Sequence, residues 1–162
     1  MKLTATFLAV LVCLRLLTGE AAFSADAPLH DCDRLAGHPL DQQSSGEGVD
    51  FDKLDPQSAI LACEKALKTY PNVIRVQFQL GRALGKKEAY KAAKKWLTLA
   101  AEQGYARAQN DIGVLYGKGN GVPKDDKLAL KWFSLAAEAG DPGGQAHLGV
   151  MSYLGKGVPK NY

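Results

Sequence analysis

The sequence predicts an all-α fold, an α-solenoid of antiparallel helix hairpins. About two and a half hairpins follow an irregular N-terminal lead-in. Three observations carry this reading. Residues 96–126 recur as residues 132–162 at a constant offset of 36, an internal period that belongs to stacked repeats. Within each unit apolar residues stand three and four apart, as one helix face requires. Between those segments the turn residues return in place: Gly119, Gly121, Val122, Pro123 and Lys124 reappear as Gly155, Gly157, Val158, Pro159 and Lys160.

The chain of 162 residues has room for one domain. With 46% hydrophobic and 23% charged residues it is not disordered throughout. Eleven of its 17 glycines lie at or after Gly104, which points to repeat punctuation rather than a flexible linker.

Residues 1–25 read as a secretory signal peptide. Met1-Lys2 opens it, an apolar run covers residues 3–17, and small residues follow. Arg15 interrupts the run and leaves it too short to span a membrane. Cleavage is expected after Ser24 or Ala25. Val12 before Cys13 argues against a lipoprotein site. Export leaves Cys32 and Cys63, and an even pair in an oxidising compartment reads as one disulfide. The alternative is a buried free thiol at Cys63.

Residues 26–56 carry eight acidic and two basic groups, among them Asp31, Asp33, Asp41, Asp50, Asp52 and Asp55. Ser, Gln and Gly between them predict an extended lead-in rather than a helix. Residues 57–162 carry eight acidic and sixteen basic groups, so the lead-in has a basic body to fold back on.

The repeat body divides into units at about 57–71, 73–104, 106–140 and 142–162, the last incomplete. Helices are expected at 57–69, 73–84, 87–103, 106–116, 126–139 and 142–153. Asp55-Pro56 and Asp141-Pro142 each offer an N-cap acceptor followed by proline at the first helical position. Asp125 or Asp126 serves the helix of Trp132. Gly104 and Gly140 end helices where a left-handed residue is needed. A short turn is expected around Gly85-Lys86-Lys87. No first helix is expected before residues 57–69, because residues 41–55 have no apolar period.

These units resemble the Sel1-like repeats, a branch of the tetratricopeptide superfamily. Ile112-Gly113, Tyr116, Gly119, Gly121, Val122, Ala129, Trp132, Ala136, Ala137 and Gly140 match its pattern. Leu148-Gly149, Gly155, Gly157 and Val158 match it again. Ser152 stands where the family tyrosine belongs. Leu80, Gly81, Trp96, Ala100, Ile112, Gly113, Tyr116, Trp132, Ala136, Leu148 and Gly149 are then the expected structural repeat core. The incomplete last unit is expected to mark a truncated chain or a helix that packs on another chain.

Candidate chemistry is sparse. The run Gly117-Lys118-Gly119-Asn120-Gly121 lacks phosphate-loop spacing and recurs with the repeat, so it reads as a turn. His30, Cys32 and His38 are too few and wrongly spaced for a metal site. No catalytic nucleophile, cofactor motif or S-x-x-K sequence is present. Lys87, Lys91, Lys94 and Lys95 share one helix face, which reads as a solvated outer face. The resemblance implies a concave groove lined by the first helix of each hairpin, with Arg75, Phe78, Arg82, Arg107, Asn110 and Tyr153 among the ligand-facing positions. The arginines would there hold a carboxylate-bearing peptide, or else the chain's own acidic lead-in.

The resulting expectation is a non-catalytic protein–protein interaction scaffold in the cell envelope, exported to the periplasm or secreted. It would take a protein or peptide partner, an acidic one among the options, without nucleic acid and without stable membrane insertion. The rival is an envelope enzyme of the β-lactam or cell-wall hydrolase kind proposed for some cysteine-rich Sel1-like proteins. This chain lacks a cysteine pair in each repeat.

Overall fold

The structure, a computed structural model, describes residues 31–39 and 48–157. The signal segment 1–25, its cleavage positions, His30, Asp41 and residues 158–162 lie outside the described residues. Every regular element among the described residues is helical. They are α1 (Asp31–Ala36), a 3-10 turn (Phe51–Lys53), α2 (Pro56–Thr69), α3 (Ile74–Lys86), α4 (Tyr90–Glu102), α5 (Ala106–Lys118), α6 (Asp126–Glu138) and α7 (Pro142–Tyr153). Each helix packs on the next, so α1–α2, α3–α4 and α5–α6 form hairpins and α7 opens a fourth.

The helix starts follow from their capping residues. The Asp55 carboxylate accepts from Ser58 N at 3.2 Å and begins α2. Asp125 accepts from Lys127 N and Leu128 N, both at 2.9 Å, and begins α6. Asp141 accepts from Gly144 N at 2.7 Å and begins α7. Each side chain satisfies backbone donors that no helix can satisfy internally, a contribution of about 1 kcal/mol apiece. Gly104 and Gly140, at φ of +83° and +84°, turn the chain between α4 and α5 and between α6 and α7.

Two segments differ from expectation. Residues 31–36 form a helix instead of an extended lead-in. Six residues are too few to be helical alone. Packing makes the difference: Cys32 and Ala36, four apart, are fully buried against Ala59, Cys63 and Val76. The Cys32–Cys63 disulfide ties α1 to α2. So α2 does have a first-helix partner, which periodicity could not reveal. The second difference lies between α3 and α4. There α3 runs to Lys86 and α4 starts only at Tyr90, because the turn passes through Glu88 in the left-handed region (φ +61°).

The core lies in successive layers. One joins α1, α2 and α3 through Cys63, Leu67, Val76 and Leu80, with Trp96 partly buried at its margin. The next joins α3, α4 and α5 through Phe78, Leu97, Ala100, Tyr105 and Ile112, with Tyr116 and Trp132 at its margin. A smaller one joins α6 and α7 through Ala129, Phe133 and Met151. Close approach needs glycine at two register-equivalent positions. A Cβ on Gly81 would stand 2.7 Å from Leu97 Cγ, and one on Gly113 would stand 2.6 Å from Phe133 Cε1.

Candidate functional site

The first helices of the hairpins, α1, α3, α5 and α7, carry the residues expected to face a groove. Their junctions are of two kinds. At α1–α3 and α5–α7 the helices pack directly on each other. Between α3 and α5 lies a cavity of about 320 Å3, lined in part by Arg82, Arg107, Asn110, Asp111, Lys118 and His38.

The α1–α3 junction is filled by the chain itself. The fully buried Asp33 carboxylate accepts from Arg75 Nε at 2.8 Å, Arg75 Nη2 at 3.2 Å and Gln79 Nε2 at 2.9 Å. Such a fork on a carboxylate is a strong, charge-assisted arrangement. Gln79 Oε1 faces Cys32 Sγ at 3.0 Å, a contact and not a hydrogen bond, because a disulfide sulfur carries no proton. One turn on, Arg82 Nη1 donates to Ala36 O at 3.0 Å and to Gly37 O at 2.6 Å, and its Nη2 donates to Val49 O. Phe51 lies under the Arg82 and Lys86 cations, 5.7 and 5.0 Å from its ring centre. The described residues of the acidic lead-in therefore sit on the basic face of α3.

The α5–α7 junction is held differently. Asp141, besides capping α7, places Oδ2 3.1 Å from Arg107 Nε. Asn110 donates from Nδ2 to Asp111 Oδ1 at 3.2 Å. Its Oδ1 lies 3.1 Å from His147 Nδ1, which is also 2.8 Å from Gly143 O. Both neighbours are acceptors, so Nδ1 carries the proton. The His147 ring stacks on Phe133 with centroids 4.5 Å apart. A second hollow of about 140 Å3 opens beside it, lined by Val114, Phe133, His147, Val150, Met151 and Leu154.

Two groups in the α3–α5 cavity titrate abnormally. Burial, with Arg107 and Arg82 nearby, lowers His38 to about 4, so it is neutral at ordinary pH. Burial raises Asp111 to about 6 against the opposing pull of Arg107 and Arg82.

The expected groove residues thus have three fates. Arg75 and Arg82 face the groove position but are engaged in cis by the lead-in. Phe78 is fully buried and packs on Tyr105, the tilted rings 5.0 Å apart at their centres, in the core and not on a ligand-accessible surface, because α4 and α5 close over it. Arg107 and Asn110 reach the α3–α5 cavity, and Tyr153 is 89% exposed on α7. Sequence reasoning did not single out Gln79, and it set His147 against Asp111 of the preceding unit only to read it as a surface position, which its exposure matches. They occupy one register position on successive first helices, and that periodicity is the signal that would have found them.

Comparison with known proteins identifies the architecture. A family profile described as the Sel1 repeat matches residues 75–105, 106–141 and 142–162. Among solved structures, the chain is similar to a protective antigen of uropathogenic Escherichia coli strains that displays an SLR fold. The identity is 32% and the TM-score 0.58 over 68% of this chain and 24% of that one. It is also similar to a Sel1 repeat protein from Oxalobacter formigenes, with 36% identity and a TM-score of 0.56 over 63% of this chain and 43% of that one. The chain spans about a quarter and less than half of those two proteins. No curated protein matches it.

Proposed function

Because the chain belongs to the Sel1 repeat family, we propose that it is a non-catalytic scaffold holding a protein or peptide partner on the open part of its groove. Sel1 repeats generally mediate protein–protein interaction. The observation that carries the finer reading is the uneven occupancy of the first helices. The α3 face is filled by Asp33, Ala36 and Val49 of the same chain. The α5–α7 face keeps Val150, Tyr153 and Leu154 exposed beside a hollow. A run of exposed apolar side chains next to a concavity is the usual form of a protein-binding surface.

The proposed setting is outside the cytosol. The buried Cys32–Cys63 disulfide supports it, since such bonds persist in oxidising compartments. No helix among the described residues is long and apolar enough to cross a membrane. The proposed plan is a signal segment at 1–25, an acidic segment at 26–56 and a repeat body at 57–162.

The test is quantitative capture of a cross-linked partner by purified full-length protein. Val150→Asp and Tyr153→Ser should lower capture at least tenfold, and Leu61→Asp on the exposed side of α2 should leave it unchanged. Equal loss for all three would refute the groove. Steady hydrolysis of a cell-wall or β-lactam substrate, abolished by one substitution, would overturn the non-catalytic reading.

A further inference from the structure

The second helices carry a surface of their own. The exposed side of α4 reads Lys91, Lys95, Leu99 and Glu102 along one face. The exposed side of α6 reads Lys127, Lys131, Leu135 and Glu138, each 36 residues later. Both faces stand opposite the buried Leu97 and Phe133, and so point away from the first helices.

The glycine turns set the basic ends of these faces side by side. Gly121, in the turn before α6, rests on the start of α4, where a Cβ on it would stand 2.6 Å from Tyr90 Cβ. Gly157 repeats the approach one unit on, where a Cβ would stand 2.5 Å from Asp126 O at the start of α6. The lysines therefore occupy the N-terminal halves of both helices, on one edge of the stack. Glu102 and Glu138 stand seven residues beyond the nearer lysine, about 10 Å along the axis and past a screening length of about 8 Å.

These four lysines serve no contact of the fold. Others in the same run do: Lys87 donates to Gln57 Oε1 at 3.0 Å, and Lys94 lies 5.6 Å from the Tyr116 ring centre. Among the described residues no carboxylate stands within ion-pair distance of Lys91, Lys95, Lys127 or Lys131. Like charges four apart on a helix repel, and the same pair recurs on the neighbouring second helix. An anionic layer against this edge offsets both repulsions.

The residue types select the kind of anion. The arginines of the described residues lie on α1, α3 and α5, engaged with Asp31, Asp33, Asp141 and backbone carbonyls. Lysine supplies the cations here. It has no planar fork, and its mobile point charge suits a layer of phosphates without fixed geometry better than a single carboxylate. Leu99 and Leu135, 39% and 36% exposed, stand one turn beyond the lysines. Lysine stems and leucines together enter a headgroup layer while the ammonium groups stay with the phosphates.

We propose that this face of α4 and α6 is a peripheral docking surface for an anionic bilayer. The four lysines hold the repeat body against the headgroups, Leu99 and Leu135 insert shallowly, and the first helices stay open to a partner.

The experiment mixes full-length protein with vesicles of phosphatidylglycerol and phosphatidylcholine, with vesicles of phosphatidylcholine alone, and with soluble polyglutamate. The mixed vesicles should bind at about 50 mM salt and at least about tenfold more weakly at about 500 mM. Vesicles of phosphatidylcholine alone should not bind. A lysine beside such a surface strengthens binding about fivefold, so Lys91→Gln with Lys127→Gln should weaken it about 25-fold. Lys65→Gln with Lys68→Gln removes the same charge from the exposed side of α2 and should weaken it less than about threefold. Leu99→Ser with Leu135→Ser should weaken it about fivefold. In bicelles carrying a nitroxide headgroup, amide signals of residues 91–99 and 127–135 should broaden and those of residues 61–68 stay sharp. That readout separates this face from any contribution of residues 1–25. No binding to the mixed vesicles, equal loss in the two lysine pairs, evenly spread broadening, or polyglutamate bound as tightly as the mixed vesicles overturns the proposal. Partner capture at Val150 and Tyr153 is measured without lipid, so failure here leaves the scaffold reading standing.

Discussion

Asp111→Asn should stabilise the protein at neutral pH and leave it unchanged in acid. Burial raises the Asp111 carboxyl from the ordinary 3.8 to about 6. A raised carboxyl means the folded chain holds a proton that the unfolded chain releases between those values. Stability from this group is then fully present below about pH 4, falls as pH rises towards 6, and is level above it. One pKa unit corresponds to about 1.4 kcal/mol, so the full swing is up to about 3 kcal/mol. Asp111 keeps some contact with solvent through the cavity, which trims the expectation to about 1–3 kcal/mol. Asparagine keeps an acceptor for Asn110 and never ionises. Urea unfolding of both proteins from pH 3.5 to 8 measures this directly. The two should coincide at pH 3.5 and diverge through pH 6, the variant being the more stable. Parallel curves, or a less stable variant at pH 7.5, would refute the burial argument.

Three further outcomes follow from the packing. Replacing both Cys32 and Cys63 by alanine opens a loop with a sequence separation of 31, worth about 3.7 kcal/mol in the chain-entropy model; a loss under about 1 kcal/mol in urea would show that the tether does not constrain the chain. Asp33→Ala removes the buried carboxylate that Arg75 and Gln79 donate to, and should cost about 3–5 kcal/mol with loss of amide protection in residues 31–37; native protection there would contradict the anchored lead-in. Two glycines of α7 should behave oppositely. Gly144→Ala would place a Cβ 2.6 Å from Ala136 Cβ and 2.9 Å from Ala137 N and should destabilise by about 1–3 kcal/mol, whereas Gly149→Ala meets nothing within 4 Å and should stabilise by about 0.5–1 kcal/mol in thermal melts.

The parts of the fold legible in the sequence are those written locally. Asp55, Asp125 and Asp141 announce helix starts because a cap is a short-range interaction between a side chain and the next turn. The 36-residue offset announces the stack because each unit makes the same contacts. The disulfide could be read from the two cysteines that remain when residues 1–25 are set aside as an expected signal segment. What was hidden is long-range. Nothing local in the sequence of α1 makes it helical; Cys63, Val76 and Gln79, more than 30 residues away, do so. The groove positions of α3 were located by register, and the acidic lead-in was one of the occupants considered for its arginines. That Asp33 supplies the carboxylate depends on the tertiary path of the lead-in. Phe78 faces the core for the same kind of reason, since Tyr105 arrives from the loop before α5 to cover it.

The most direct test of the account is photo-cross-linking in the native cell, with the reactive residue placed in turn at Val150, Tyr153 and Leu61. An interaction scaffold with an open α5–α7 face predicts the same partner adduct from positions 150 and 153 and none from position 61. Adducts of equal yield at position 61, or none at 150 and 153 while the partner still co-purifies, would contradict it.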